Sequence, residues 1–443
     1  MSFQNALMRK LLLNALAGLA AALGLASTYL AYTIFGIGGD ADLWMLGTAV
    51  TMALALLAQL GVEQVGVFYS RTRHLSDQES RRFARDSLLW SYLFGALFAC
   101  GFALLAPWIA GVFAPGFAAD QQKRLASLLW EYWPLILVAP SQYVLKQLLL
   151  IHGRSITATS LNLLFPGIHT AVLVAASLGS VGRVEGLAGQ LSSIYAVLSA
   201  ATSLFLADVV LTRQAPHWRA LGPFIVSSFS MRVTHSLHGL LVTFVSNQLL
   251  SFGAAGTIAV FQYARKVAEG LVAVTVGPHG SVYHARQSAA WASRTKSAFA
   301  AHIRDYLASI VPLLAVAGVA LAVGIAYLYF YDALPAQLDA ASLSIAVAIL
   351  FTWQIVIAVE TIPVGVLALE SRYKALLVIN GLFICSYYFL AIMTTQMFSA
   401  VSAIALSGLV AQLQSVCLFA WTARSIASAH WRDSSLSNSA RPD

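Results

Sequence analysis

About twelve apolar stretches, most of them roughly 20 residues or longer, follow one another along the 443-residue chain with only short polar turns between them. Their approximate limits are 11–35, 43–69, 87–113, 125–151, 156–178, 187–211, 228–252, 256–282, 306–330, 341–368, 374–396 and 401–425. Inside hydrocarbon every backbone N–H and C=O must find a partner within the protein, so stretches of this length have to be helices. The charge content agrees: 10% of residues are charged, against about 25% in a soluble protein. The expectation is an all-α polytopic membrane protein with about twelve transmembrane helices. Soluble-enzyme motifs are disfavoured accordingly. Cys100, Cys385 and Cys417 all sit in apolar segments, which suggests neither a disulfide framework nor a zinc site. Arg9 and Lys10 precede an apolar run with small residues near Leu25-Ala26-Ser27, as in a signal peptide. The run continues to Phe35, about 25 residues, so it reads as a retained first helix, with cleavage as the alternative.

The net charge of +8 could point to nucleic acid, but its distribution points to membrane topology instead. With a cytoplasmic N-terminus, the inside loops and both tails hold 20 of the 26 Lys and Arg residues. The outside loops hold only Lys123, Arg124 and Arg183, and Lys146, Arg265 and Lys266 lie in spans. Basic residues collect on the cytoplasmic side, so both termini are expected there. One missed helix would scramble this asymmetry, which supports an even number of spans.

The two halves show weak self-similarity. "FARDSLL" (83–89) parallels "HIRDYLA" (302–308), and "HGRSITATSLNLLF" (152–165) parallels "ESRYKALLVINGLF" (370–383), with Arg154 against Arg372 and Asn162 against Asn380. The expected organisation is two parallel six-helix lobes, 1–212 and 213–427, followed by a disordered cytoplasmic tail, 428–443. Several transporter folds are built from such a duplication, with the substrate site between the halves.

Polar residues inside the spans carry the functional signal. "VFQYARKVAEG" (260–270) places Arg265, Lys266 and Glu269 in mid-segment, where charge is costly. Arg265 and Glu269 are four residues apart and share a helix face, so they can pair. A self-neutral pair that locks a helix contact is the bland account. Lys266 adds a second cation, which favours a helix lining a wet cavity that receives an anionic substrate. Glu360 lies deep in the tenth span, a position suited to relaying protons or binding a cation. Lys146, Glu131 and Asp208 lie nearer the ends of their spans, Lys146 reaching the interface by snorkelling. His235 and His238 are three apart, but no Cys or carboxylate nearby completes a metal site, so no metal is expected. Pro278 and Pro363 should bend the eighth and tenth helices. No nucleotide-binding motif, nucleophile elbow or paired catalytic carboxylates occur, and the exterior loops are too short for a catalytic domain, so the chain does not read as an enzyme.

Four stretches then carry a resemblance. "FGIGGDADLWMLGTAV" (35–50), "FAPGF" (113–117), "HGRSITATSLNLL" (152–164) and "YARKVAEGLVAVTVG" (263–277) resemble the MviN/MurJ branch of the multidrug/oligosaccharidyl-lipid/polysaccharide (MOP) exporter superfamily. They run in register from about residue 24 to 290, and the C-terminal third is similar mainly in hydropathy. The resemblance implies a V-shaped bundle of two lobes that opens alternately to each side. It implies a flippase moving a polyprenyl-diphosphate-linked saccharide, lipid II or another envelope or exopolysaccharide precursor. Cationic residues would meet the diphosphate. By carry-over, Lys266 takes the place of the family's helix-eight arginine, Arg265 that of the preceding aspartate, and Asp42 that of the helix-two aspartate. The expected substrate residues are therefore Arg265, Lys266, Glu269 and Asp42, with Glu360 and Asn380 holding a coupling cation, Na+ or H+. No cofactor is expected. The partners would be the lipid-linked saccharide, membrane lipids and envelope polysaccharide synthesis proteins, and not nucleic acid. The chain departs from the family pattern at Ser27-Thr28, where the family has Arg-Asp, and between Ala49 and Leu56, where it has arginines. It also lacks the two further C-terminal helices of many members. Alternatives from other classes are a small-molecule exporter of the same superfamily, a non-transporting scaffold of an envelope-synthesis complex, and a glycan-processing membrane enzyme.

Overall fold

The computed structural model describes residues 3–62, 65, 68–69, 77–152, 154–179, 183–205, 221–292, 296–330, 340–370 and 372–439. Among them are fourteen α-helices and no strand. In chain order they are α1 (Phe3–Phe35), α2 (Gly39–Leu57), α3 (Asp77–Phe113), α4 (Ala119–Glu131), α5 (Trp133–Ile151), α6 (Ser155–Ser160), α7 (Leu164–Leu178), α8 (Val184–Phe205), α9 (Gly222–Leu250), α10 (Thr257–Ala292), α11 (Lys296–Phe330), α12 (Ala340–Leu369), α13 (Tyr373–Thr394) and α14 (Ala400–Ser439). Among the described residues, ten helical segments are long and apolar enough to cross a membrane. Ten of the twelve expected spans fall on these segments, while α9 and α10, which hold the expected seventh and eighth, are not among them. The protein is a multi-pass all-α membrane protein. Its outer surface is correspondingly apolar, with Leu97, Leu104, Trp108, Val319, Phe389 and Trp421 exposed.

Three of the expected spans are broken. The second leaves α2 at Leu57 for a turn and a 3-10 segment at Leu60–Val62. The fourth divides into α4 and α5 at Tyr132, and Pro134 stands in the first turn of α5, where a missing N–H costs nothing. The fifth divides into α6, a 3-10 turn at Leu161–Leu163, and α7. Hydroxyls there compete for the backbone: Thr159 donates to the Ser155 carbonyl and Ser160 to the Thr157 carbonyl, both at 2.8 Å. The tail expected to be disordered from Ser428 corrects to helix as far as Ser439. Its first residues carry aromatic anchors that a hydropathy reading passes over. Trp431 packs with Trp291 and Phe299, and His430 stacks on Trp291 at 4.3 Å.

The chain forms two compact units, Met1–Gln262 and Tyr263–Asp443, divided within α10. The lobe boundary expected at 212/213 falls outside the described residues. In the first unit α1 packs on α7, α7 on α8, α8 on α4 and α5, α3 on α4 and α5, and α2 on α4 and α9. Phe83, Phe224, Val144 and Leu148 form a core cluster with Phe68 against it. In the second unit α12 and α13 both pack on α14, and α11 packs on α12. Gly408 of α14 meets the Trp353 ring of α12, where any Cβ would clash. Trp291, Phe299, Leu367, Ile379 and Phe419 form the core near the end of α14.

Candidate functional site

In the second unit, Arg265, Lys266 and Glu269 form one ionic group on α10. Arg265 Nε donates to Glu269 Oε1 at 2.7 Å, and Lys266 Nζ donates to Glu269 Oε2 at 3.1 Å. The expected Arg265–Glu269 pair is therefore present. Lys266 joins it through the i, i+3 spacing, because its long stem can swing back over the turn. One carboxylate faces two cations, so the group keeps a net positive charge. Lys266 is the more accessible cation: its side chain is 50% exposed, against 21% for Arg265. The arrangement can hold a ligand anion without disturbing the internal pair.

The same unit also holds a cavity of about 420 Å³, on a different side of α10 from this group. Tyr263, Val267 and Leu271 of α10, Leu321 and Gly324 of α11, and Val347 of α12 are among its walls. Among the described residues, the lining apart from Tyr263, Tyr327 and Ser344 is aliphatic or glycine.

Glu360 is buried on α12 and accepts a hydrogen bond from Gln412 Nε2 of α14. Gln412 also donates to Ser415 Oγ at 3.3 Å, and its Oε1 accepts from Trp353 Nε1 at 3.1 Å. This buried polar chain joins α12 to α14. Asn380 is buried on α13. Pro363 lies within α12, and side chains reach the carbonyls around it: Tyr306 and Thr361 donate to Ala358, and Gln287 donates to Ile362.

The structure gives Asp42 a task different from the one expected. Its side chain is buried in the first unit. Oδ2 accepts the Gly256 N–H at 2.6 Å and Oδ1 accepts the Ala259 N–H at 2.7 Å. Asp42 thus caps the start of α10 from α2, supplying negative charge to the positive end of the helix. Gly256 makes the approach possible: its φ is +95°, and a Cβ there would run into Ile37. The neighbouring "FAPGF" turn meets the same region. Gly116 N–H donates to Ser251 Oγ at 3.0 Å, and a Cβ on Gly116 would clash with the Ser251 carbonyl. Two of the stretches that carried the resemblance therefore act as joints that fix the entry to α10.

Lys146 donates to Asn162 Oδ1 at 2.9 Å, which ties α5 to the 3-10 turn before α7. Ser27 and Thr28 both donate to the Gly24 carbonyl at 2.8 Å, so this neutral pair is satisfied within α1. Asp208 lies outside the described residues, as do the side chains of His235, His238 and Pro278, although α9 and α10 run through the last three positions. The reading by charge missed the amides. Gln142 donates to the Ser199 carbonyl and to Thr202, joining α5 to α8, and Gln262 donates to Asn247 Oδ1 at 3.0 Å. A signal existed: Gln142 precedes Glu360 by 218 residues, the offset that also separates Asn162 from Asn380.

No protein-family model matches the sequence, and no curated protein matches it. Solved structures do. The fold is similar to that of the lipid II flippase MurJ in an inward closed conformation, with a TM-score of 0.70, 14% identity, and 98% of this chain and 94% of that one covered. An inward-facing multidrug resistance MATE family transporter of the MOP superfamily matches with a TM-score of 0.63 at 14% identity, covering 95% of each chain. A MOP superfamily transporter from Pyrococcus furiosus, described as having a binding pocket of reverse polarity, matches at 0.65 and 14%, covering 95% of this chain and 96% of that one. At these identities the likeness is one of fold.

Proposed function

We propose that this protein is a flippase that moves a polyprenyl-diphosphate-linked saccharide across a bacterial inner membrane, with both termini in the cytoplasm. The observation that carries this reading is the uncompensated charge on α10. Two cations share Glu269, and the more exposed of them, Lys266, stands ten residues into α10 with apolar residues on both sides of the charged group. A cation held at that depth needs water or an anion. A lipid diphosphate supplies an anion while its tail remains in an apolar environment. Lys266 and Arg265 attract the diphosphate, more strongly in a low-dielectric cavity than in water. Glu269 holds both cations in place between transport cycles. Rocking of two six-helix lobes, 1–212 and 213–427, exchanges access to the two sides. Glu360, with Asn380, is the coupling-cation candidate, Na+ or H+. The carrier's saccharide, lipid II or another envelope precursor, and association with envelope polysaccharide synthesis proteins follow the same reading.

The test is translocation of a lipid-diphosphate oligosaccharide in reconstituted vesicles. Wild type flips it. Lys266→Ala slows flipping by about tenfold or more, the equivalent of one charge-assisted contact, and Lys266→Ala with Arg265→Ala abolishes it while the protein remains folded. A wild type that moves no lipid-linked glycan overturns the reading. A second reading, a small-molecule exporter, is favoured by one observation: a 420 Å³ cavity is within the ~300–1,000 Å³ range of small-ligand sites.

A further inference from the structure

We infer that Glu269 is a positioning residue for Arg265: it holds the guanidinium by one nitrogen and so aims the other two as a two-point seat for a phosphate group. This rests on the reading of the α10 group as the site of a lipid diphosphate and adds how the group grips it.

The argument starts from the nitrogens. A guanidinium offers five N–H groups in a rigid plane, one on Nε and two on each Nη. A carboxylate lying side-on can take Nε and one Nη with its two oxygens. Glu269 does otherwise. Its Oε1 accepts from Arg265 Nε at 2.7 Å, while its Oε2 accepts from Lys266 Nζ at 3.1 Å. Among the described residues, Nη1 and Nη2 of Arg265 donate to no protein group. The end of the fork is therefore whole, and its geometry suits two oxygens of one phosphate. Holding Nε also removes rotamer freedom that an arginine otherwise loses on binding. Both contacts lie within one turn of α10, at i, i+4 and i, i+3, so the seat forms without help from another helix. The two cations then divide the task. Arg265 is the aimed fork, and the more exposed Lys266 is free to leave Glu269 for the second phosphate of a diphosphate. The charge of Glu269 opposes anion binding, whereas its hold on Nε favours it. Removing the side chain separates the two: charge alone makes an anion bind more tightly, and lost aim makes it bind more weakly.

The probes are inorganic pyrophosphate and farnesyl diphosphate, titrated by calorimetry against the full-length protein in nanodiscs of neutral lipid, with protein-free nanodiscs as the control. Wild type binds both. Glu269→Ala weakens both by about tenfold, the loss of one charge-assisted hydrogen bond, although the group gains net positive charge. Glu269→Gln, whose amide oxygen still accepts from Nε, binds at least as tightly as wild type. Arg265→Lys keeps the charge, loses the fork and weakens both probes by about tenfold. The comparison is made among variants whose thermal transitions match that of wild type. Glu269→Ala binding as tightly as wild type, or more tightly, overturns the inference and leaves the headgroup reading resting on charge alone. An Arg265→Lys variant indistinguishable from wild type does the same. Binding of pyrophosphate without farnesyl diphosphate keeps the seat, assigns it to a free anion and contradicts the flippase reading. No binding of either probe by wild type overturns the seat, and the vesicle assay then decides the flippase reading separately.

Discussion

Asp42 and Lys266 show how differently two charged residues in spans are used. Asp42 makes two short bonds to main-chain N–H groups, an arrangement that stabilises a helix start. Asp42→Ala should lower stability by about 1–2 kcal/mol, read as an earlier thermal transition in detergent, and at a temperature where the variant is folded its affinity for a lipid diphosphate should be unchanged. A lost affinity in the folded variant would return Asp42 to the substrate site. Lys266 behaves in the opposite way: Lys266→Ala should leave the transition within about 0.5 kcal/mol, as for exposed ion pairs, and lower the transport rate. The Arg265–Glu269 pair was legible in the sequence because i, i+4 spacing fixes neighbours on a helix. The role of Asp42 was not, because its partner Gly256 stands 214 residues away and no local pattern encodes such a contact. The resemblance implied a substrate role for Asp42, and the bonds it makes are to main-chain N–H groups.

At the level of elements, hydropathy located the helices but not their interruptions. The breaks after α4 and α6 depend on Pro134 and on hydroxyls that bond back to the chain, features that an apolar average passes over. The continuation of α14 rests on aromatic contacts of Trp431 and His430 with Trp291. The duplication is clearer in the amides than in the charges. Gln142 links α5 to α8 in the first unit, and Glu360 links α12 to α14 in the second. Replacement of the neutral amide by a carboxylate in the second half makes Glu360 the element-scale candidate for coupling. Glu360→Gln keeps the bond to Gln412 and removes the charge, so transport should continue and lose its response to an imposed Na+ or H+ gradient. An undiminished gradient response would leave Glu360 as a helix-to-helix contact. Packing gives a further prediction. Gly408→Ala pushes a methyl into the Trp353 ring and should destabilise the protein by about 1–3 kcal/mol, the usual cost of overpacking, seen as a lower thermal transition.

For the whole molecule, the proposed orientation, with both ends in the cytoplasm, rests on the distribution of Lys and Arg. Single cysteines introduced at Ser2 and Ser437 in a background lacking Cys100, Cys385 and Cys417 should react with a membrane-impermeant maleimide only after the cells are opened; labelling of either in intact spheroplasts would reverse the topology. The fold is shared by proteins described as a lipid II flippase and as multidrug transporters, so fold alone does not choose between lipid and drug. The proposal of a lipid rather than a drug rests on the α10 group, which has more positive than negative charge and a half-exposed lysine. The direct measurement is made in a single proteoliposome preparation, following both the translocation of a lipid-diphosphate oligosaccharide and the movement of a cationic dye. The account predicts rapid translocation of the lipid, slowed by Lys266→Ala, and no dye movement above protein-free vesicles. Dye transport without lipid translocation would contradict it.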